Sequence, residues 1–346
     1  MKVLRQTIKS ILVMLIIFVL AINTEIQIFS SPISRKPINV GIILFSLDNS
    51  IAAQLKNEFD NLQNEYSVKV SVFNPQNNLS VQDEMLDSLL KNKIDLIIAM
   101  PADTKENAVR NFIERVKPYN TPLVMFNIPP DVVEKVSNDY DRVAFALPSS
   151  EKSGEMQGEI VRDFWNNKSI IDKNSDNILQ YVLLRGPKED VTADKRTQGV
   201  TSILKSSGIK TESLQSLATN WTEAVAKSYI ENIFLTDANK IEAIIANDDD
   251  LAVGAVKGLQ KYGYNTGDKS KYIPVFGLSG TPEAINLIDK GLMSGTIIVD
   301  IKKVAHDLYA IGNNLINNAN PTENTNLKSE GDVIIIGTNP RKYVKG

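Results

Sequence analysis

Oxygen-bearing side chains recur at alternate positions in the segment Asp-Lys-Asn-Ser-Asp-Asn-Ile-Leu-Gln, which runs from Asp172 to Gln180. They stand at its first, third, fifth and ninth positions. Ca²⁺ is a hard cation that takes about six to eight oxygen ligands on a tight loop, with a main-chain carbonyl at the seventh position. That position is Ile178. The pattern predicts the first part of an EF-hand-type calcium loop.

The end of this loop differs from that of an EF-hand. An EF-hand supplies a bidentate glutamate at its twelfth position, whereas this chain continues with Tyr-Val-Leu-Leu at 181–184. A short apolar run of this kind is typical of a buried strand. The last carboxylate of a calcium site must therefore come from another part of the sequence.

Length and composition indicate a soluble protein of two domains. The chain has 346 residues, of which 42% are hydrophobic and 23% charged, and its formal net charge is -3. This balance gives no electrostatic reason to expect binding to nucleic acid. The sequence contains no cysteine, which excludes disulfides, thiolate catalysis and lipid attachment through cysteine.

The N-terminus has the pattern of a membrane segment. Three basic residues lie among residues 1–9, and an uncharged, mainly apolar run follows them. We predict a cytoplasmic segment at 1–9, a membrane anchor or signal segment at 10–29 and a linker at 30–38. Because no small-residue cleavage site follows the apolar run, an uncleaved anchor is favoured over a cleaved signal. Either form places the rest of the chain outside the cytoplasm.

From residue 39 onward, short apolar runs alternate with helical patterns. The run at 39–44 is apolar enough for a strand buried on both faces, and the apolar residues at 51, 55, 59 and 62 then lie on one helical face. Repetition of this unit predicts a doubly wound parallel sheet. The pattern starts again after Ser149, which predicts a second α/β lobe of similar size.

The predicted lobes exchange chain segments three times. We assign 39–147 plus 300–331 to the N-terminal lobe and 148–299 plus 332–346 to the C-terminal lobe. The connecting strands form a hinge near Ala146, Val299 and Asp332. A cleft between the lobes is the expected ligand site.

Two other classes of function stay open at this point. Three adjacent acids at 248–250 could form a metal or general-base cluster, which would make the chain an enzyme, or they could simply begin a helix. A DNA-binding regulator of the same fold would carry a helix-turn-helix at its N-terminus, where this chain has its apolar segment.

Several segments together resemble the periplasmic galactose/glucose-binding proteins. They are Pro-Leu-Val-Met-Phe-Asn at 122–127, Asp-Lys-Arg-Thr at 194–197, Glu-Ala-Ile-Ile-Ala-Asn-Asp-Asp-Asp at 242–250, Ile-Pro-Val-Phe-Gly at 273–277 and the calcium loop. The resemblance covers about residues 38–346. It implies the α/β type I periplasmic-binding-protein fold, with two lobes that close on a sugar outside the cell, and no enzymatic activity.

The resemblance also implies one structural Ca²⁺. In that family a glutamate from the strand before the Ala-Asn motif completes the site, and this position is Glu242. The implied ligands are Asp172, Asn174, Asp176, the main chain of Ile178, Gln180 and Glu242.

The sugar site implied by the resemblance is kept only in part. Asn127, Arg196 and Trp221 match the family, with Arg196 as a multi-donor group and Trp221 as a stacking face. The full set of candidate ligand-binding residues is Phe45, Asn49, Asp103, Asn127, Asp190, Arg196, Trp221, Asp248 and Ser279.

Other positions depart from the family's residues. This chain has Asn49 in place of the family's cleft aspartate and Ile51 in place of its stacking phenylalanine. The remaining replacements are Asp190 for a histidine, Thr192 for an aspartate, Asp248 for an asparagine, Ser279 for an aspartate and Val299 for an asparagine. The scaffold is therefore expected to be retained and the specificity changed. A pentose such as xylose is favoured, because it has no exocyclic hydroxymethyl group to satisfy.

The membrane partner follows from the anchor. Attachment of the binding protein through its own helix favours a sensor histidine kinase as the membrane partner that recognises the closed form. The permease of a sugar ABC transporter is the alternative partner.

Overall fold

The computed structural model describes residues 36–166 and 172–345. The predicted segments at 1–9 and 10–29 and most of the linker at 30–38 lie outside these residues. Within the described part of the chain, no helix combines the length and the apolar character needed to cross a bilayer.

The first lobe is built on a seven-stranded sheet in the order β11-β12-β5-β4-β3-β1-β2. Its strands are β1 (Ile38–Leu44), β2 (Val68–Phe73), β3 (Leu96–Met100), β4 (Leu123–Phe126), β5 (Val143–Pro148), β11 (Lys328–Glu330) and β12 (Val333–Ile336). Its helices are α1 (Ser50–Glu65), α2 (Leu79–Lys91), α3 (Glu106–Val116), α4 (Pro130–Val136) and α10 (Ile301–Ile316). All strand pairs are parallel except β11 with β12.

The second lobe is built on a six-stranded sheet in the order β13-β10-β9-β8-β6-β7. Its strands are β6 (Ile178–Arg185), β7 (Lys210–Ala218), β8 (Ala243–Ala246), β9 (Val275–Phe276), β10 (Gly295–Ile298) and β13 (Arg341–Val344). Its helices are α5 (Ser150–Trp165), α6 (Val191–Ser206), α7 (Glu223–Asp237), α8 (Asp249–Gln260) and α9 (Pro282–Asp289). Only β13 runs antiparallel to its neighbour.

The continuous apolar strands explain this architecture. In β1, the side chains of Ile42, Ile43 and Leu44 are all fully buried, although successive side chains point to opposite faces of the sheet. Both faces must therefore be covered, and helices cover them. The predicted α/β fold with two parallel-sheet lobes is confirmed.

The chain crosses between the lobes after β5, β10 and β12. The crossing segments are hydrogen-bonded to one another, since the Ser149 N–H donates to the Ile336 carbonyl at 3.1 Å and the Asp300 N–H donates to the Thr338 carbonyl at 2.8 Å. These paired segments form the back of the cleft.

One predicted boundary is wrong. β12 pairs in parallel with β5, with Val333 opposite Phe145, so Val333–Ile336 belongs to the first lobe and not to the second. The third crossing lies at 337–340 instead of at Asp332. The reason is that β12 carries apolar side chains on both faces and is buried between β5 and β11. Only the more exposed β13 returns to the second sheet.

Candidate ligand-binding cleft

The predicted site residues follow the carboxyl ends of strands from both sheets. Phe45 and Asn49 come after β1, Asn127 after β4, Asp190 after β6 and Asp248 after β8. In parallel α/β sheets, loops after neighbouring strands meet at the same sheet edge. The two edges face one another, and the loops line the space between them.

Three of these side chains are helix N-caps. A side-chain oxygen of Asn49 accepts from the Ala52 N–H at 3.1 Å, one of Asp190 from the Ala193 N–H at 3.0 Å, and one of Asp248 from the Leu251 N–H at 2.9 Å. An N-cap satisfies a backbone donor that the helix leaves unpaired. The capping bond also fixes the orientation of each side chain toward the cleft.

An inner cavity of about 80 Å³ lies between the lobes. A buried water needs roughly 10–15 Å³ on the same measure, so the cavity accommodates about five to eight water-sized groups. This is the size of one small ring with its substituents. The predicted site residues that line it are Phe45, Asn49, Asn127, Asp190, Arg196, Trp221 and Asp248.

An outer cavity of about 510 Å³ adjoins the inner one and shares Phe45, Asn127, Asp190 and Trp221 with it. Asp103 lines this outer cavity, where its carboxylate accepts from the Lys105 N–H at 2.9 Å. Ser279 lines neither cavity. Its side chain is 2% exposed and its hydroxyl donates to the adjacent Leu278 carbonyl, so the structure does not bring it to the other predicted residues.

Arg196 is the cation of the inner cavity. Its side chain is 9% exposed, and Nη1 donates to the Asn247 carbonyl at 2.7 Å. Nε is buried without a partner in the described part of the chain. Burial lowers the pKa of Arg196, while the nearby carboxylates of Asp248 and Asp190 oppose this effect. An arginine remains charged in such a setting, so the cavity contains a buried donor available to a ligand.

Trp221 forms an aromatic wall beside this cation. Its indole N–H donates to Asp190 at 3.2 Å, and the Arg196 guanidinium carbon lies 5.9 Å from the ring centroid. Gly186 lies against the ring, and a Cβ there would come within 2.1 Å of a ring carbon. The indole is therefore held by packing on one side and by a hydrogen bond at its edge, as a stacking platform requires.

The three adjacent acids serve three different purposes. Asp248 caps α8 and lines the cavity. Asp249 is fully buried and accepts from the Thr281 N–H at 2.7 Å and the Thr296 hydroxyl at 2.6 Å. Asp250 accepts from the N–H and hydroxyl of Ser50 in the opposite lobe, at 2.9 and 2.5 Å. The acids therefore do not converge on one catalytic point.

Direct contacts join the lobes across the cleft. Besides the Ser50–Asp250 pair, the Thr192 hydroxyl of the second lobe donates to the Asn127 side chain of the first. The first pair links the N-termini of α1 and α8. The structure is therefore the closed form of a two-lobed protein.

Residues outside the predicted set complete the cavity. Pro148, Val299, Ile301, Ile336 and Thr338 line it from the crossing segments. Sequence reasoning singled out only Val299 among them, because the others reach the cavity through strand pairings between distant parts of the chain. Hydrophobic strand ends followed by a lobe crossing are the signal that could have indicated them.

The predicted calcium loop folds as a series of tight turns next to Glu242. The Glu242 carboxylate oxygens accept from the N–H groups of Lys173 at 2.7 Å and Gln180 at 3.0 Å. Asp176 accepts from the Ile178 N–H at 2.8 Å. Burial raises the pKa of Glu242, and the charges of Asp172 and Asp176 add to the increase. The carboxylates of Asp172, Asp176 and Glu242 therefore lie near one another in this loop region.

Two buried oxygens of this loop fit a cation. Asp172 Oδ1 and Gln180 Oε1 have no hydrogen-bond partner in the described part of the chain, and a buried polar atom without a partner is costly. Both are atoms that hard cations prefer. No cluster of three or more His, Asp or Glu side chains with metal-site geometry occurs among residues 36–166 and 172–345. A metal here would therefore depend on amide and main-chain oxygens as well.

The buried Asp249 predicts a pH dependence of stability. Burial raises its pKa from 3.8 to about 6, so between these values the folded protein binds more protons than the unfolded chain. The free energy of unfolding contributed by this group therefore increases as the pH falls from 7 to 5, by about 1 kcal/mol. Urea unfolding at the two pH values measures the change. It should shrink in Asp249→Asn and persist in the exposed control Asp141→Asn, and an unchanged difference in Asp249→Asn would contradict the assignment.

Two α/β lobes that meet over a small enclosed cavity define a hinged ligand-binding protein. Residues 40–320 match the family described as the periplasmic binding protein domain, and the chain belongs to this family. The family's description and its periplasmic relatives indicate a location outside the cytoplasm.

Two similar proteins are named for the sugars they bind. The D-galactose/methyl-galactoside-binding periplasmic protein of Haemophilus influenzae is 28% identical over 299 residues, which cover 86% of this chain and 87% of the relative. The D-xylose-binding periplasmic protein of the same organism is 23% identical over 312 residues, which cover 88% and 86%. The chain is accordingly a binding protein and not an enzyme.

Solved structures share the fold. An ABC transporter solute-binding protein of Actinobacillus succinogenes with bound D-allose has a TM-score of 0.71 at 17% identity, covering 89% of this chain and 98% of that one. A solute-binding protein of Bacillus halodurans with bound myo-inositol has a TM-score of 0.68 at 19% identity, covering 90% and 96%.

Proposed function

We propose that this protein is an extracytoplasmic receptor that closes on one monosaccharide. The arrangement of Arg196, Asp190 and Trp221 around the inner cavity carries the proposal, because it combines a donor fork, carboxylate acceptors and an aromatic face in an enclosed space. Sugars are held by such planar polar groups and by aromatic contact with their C–H patches. Isothermal titration calorimetry with monosaccharides tests it. The proposal fails if none binds more tightly than about millimolar.

We further infer that the ligand lacks a hydroxymethyl group, with a pentose such as xylose as the simplest example. Ile51, Thr192 and Val299 are poor partners for the several hydroxyls of a hexose. A sugar hydroxyl left unpaired in a closed cleft costs about 1–3 kcal/mol. In the calorimetric series, D-xylose is therefore expected to bind more tightly than D-glucose, and the reverse order would reject this preference.

Closure is a population shift in which the ligand contacts both lobes only in the closed form. The Ser50–Asp250 contact favours that form even without ligand. Asp250→Ala removes both hydrogen bonds. It is expected to weaken sugar affinity at least about tenfold, because one hydrogen bond to a charged group already contributes about 1.5–3 kcal/mol. Calorimetry measures this effect, and small-angle scattering should show a more open free protein.

The exposed Asp141→Ala variant is the matched control for this change, since it removes one acid of the first lobe away from the cleft. Equal affinity of Asp250→Ala and the wild-type protein would show that the contact does not contribute to closure.

We propose that Asp172, Asn174, Asp176, the Ile178 carbonyl, Gln180 and Glu242 hold one structural Ca²⁺. Bound there, the cation would neutralise the neighbouring carboxylates and give the two unpaired oxygens a partner. The proposal concerns stability and not the contacts to sugar, because the loop lies at the opposite end of β6 from Asp190.

The membrane partner is proposed from the N-terminal segment. If residues 10–29 remain as an anchor, a sensor histidine kinase that reads the closed form is the favoured partner. The permease of a sugar ABC transporter is the second candidate, and the similarity to ABC transporter solute-binding proteins supports it. Cross-linking of the full chain in its native membranes, with and without D-xylose, followed by mass spectrometry, separates the two. Recovery of neither partner would reject both.

A further inference from the structure

The two lobes contribute very different surfaces to the inner cavity. The first lobe presents apolar side chains from several elements, among them Ile51 and Leu55 of α1, Phe126 of β4 and Ile301 of α10. The second lobe presents Asp190, Thr192, Arg196, Trp221 and Asp248. A ligand that fits both surfaces must have one polar and one apolar side.

The polar groups of the first lobe are few and partly occupied. Asn49 and Asn127 line the cavity. The amide oxygen of Asn49 accepts a hydrogen bond from the Ala52 N–H, and that of Asn127 accepts one from the Thr192 hydroxyl. Each amide therefore offers its NH₂ group but little accepting capacity. A sugar hydroxyl facing this lobe could accept a hydrogen bond but would find few acceptors for its own proton.

The apolar surface continues into the back of the cleft. Pro148, Val299, Ile301 and Ile336 stand on or beside the three crossing segments, which are tied together by backbone hydrogen bonds. We call these four side chains the hinge wall. The hydroxyls of Ser150, Ser153 and Thr338 also line the cavity. Thr338 is 3.5 Å from both the Ser153 hydroxyl and the Ser149 carbonyl, which is the long limit for a hydrogen bond. The hinge wall is therefore an apolar patch with hydroxyl groups at its border.

The hinge wall is suited to a substituent at the edge of a sugar ring. Trp221 of one lobe and Phe45 of the other also line the cavity, and such aromatic side chains are suited to contact with the faces of a sugar ring. With the ring faces against these two side chains, a substituent at the ring's edge is the part left for the back of the cleft. Apolar side chains from three segments offer contact to a methyl group and no hydrogen bond to a hydroxymethyl group.

We propose that the hinge wall receives the methyl group of a 6-deoxyhexose. This inference rests on the proposed monosaccharide function and makes its ligand class more specific. A methyl group gains apolar contact that a pentose lacks, worth about fourfold in affinity for one buried carbon. Relative to a hydroxymethyl group, it avoids burying a hydroxyl against apolar side chains, which costs up to about 100-fold.

The test uses two series of sugars that differ only in the substituent at one ring carbon. The first is D-glucose, 6-deoxy-D-glucose and D-xylose, which carry hydroxymethyl, methyl and hydrogen. The second is D-galactose, 6-deoxy-D-galactose and L-arabinose, with the same substituents and the other configuration at carbon 4. Calorimetry on the wild-type protein measures the affinity for each sugar. In at least one series, the sugar with a methyl group is expected to bind most tightly, the sugar with hydrogen next, and the sugar with a hydroxymethyl group most weakly.

The possible outcomes separate the two proposals. If hydrogen ranks above methyl in both series, the hinge-wall inference is wrong while the preference for pentoses stands. If hydroxymethyl ranks first, both are wrong. If no sugar of either series binds, the monosaccharide function itself fails, and the inference fails with it.

A variant of the hinge wall links the ranking to this site. Val299→Thr keeps the shape of the side chain and adds a hydroxyl, so it should reduce the ratio of methyl to hydroxymethyl affinity at least threefold. Val225→Thr makes the same change on a half-exposed face of α7 and should leave the ratio unchanged. An unchanged ratio in folded Val299→Thr would overturn the assignment. The wild-type ranking remains a test if this variant does not fold.

Discussion

Replacing Arg196 with methionine is expected to lower sugar affinity by at least about 30-fold. The guanidinium is buried and bonds the Asn247 carbonyl, and its Nε has no protein partner in the described part of the chain. Removal takes away the donors offered to the sugar. It also leaves the carboxylates of Asp190 and Asp248 without the nearby cation, and loss of one partner from a buried charged group costs about 2–5 kcal/mol. Calorimetry with D-xylose and 6-deoxy-D-glucose measures the loss.

Two further variants make this result interpretable. Arg196→Lys keeps the charge but not the fork of donors and should give an intermediate affinity. Lys105→Met removes a cation from the outer cavity, where Lys105 is exposed, and should change affinity less than threefold. If Arg196→Met keeps its fold by circular dichroism and binds as the wild-type protein does, the inner cavity is not the sugar site.

Removal of calcium is expected to lower the melting temperature by about 5–10 °C. A ligand at 100 times its dissociation constant stabilises the folded state by about 2.7 kcal/mol. One kcal/mol corresponds to roughly 2–4 °C for a domain of 150–250 residues. Without the cation, the mutual repulsion of Asp172, Asp176 and Glu242 is not relieved. Scanning calorimetry in calcium and in excess chelator measures the difference.

The matched variants are Glu242→Gln and Glu134→Gln. The first removes one carboxylate of the loop region and should make the melting temperature insensitive to calcium. The second changes an exposed glutamate of the first lobe and should keep the full response. Equal melting of the wild-type protein in calcium and in chelator would reject the site.

The alternation of apolar strands and amphipathic helices was sufficient to predict the fold. Strands such as β1 are apolar on both faces, and only a sheet covered by helices on both sides can bury them. Cap residues were also readable in principle, because Asn and Asp before a helical pattern satisfy its first N–H groups. Asn49, Asp190 and Asp248 are such caps, and each lies where a strand ends at the cleft.

What the sequence alone determined, then, was the α/β class, the order of the elements and most of the residues that gather at the cleft, because these depend on local periodicity and on the ends of neighbouring strands. Only the tertiary structure decided that Val333–Ile336 joins the first sheet, that Ser279 does not line the inner cavity, and that Ser50 contacts Asp250 across the cleft. These features depend on contacts between residues far apart in the chain. Such contacts are selected by packing and by the satisfaction of buried hydrogen bonds, which no local pattern encodes.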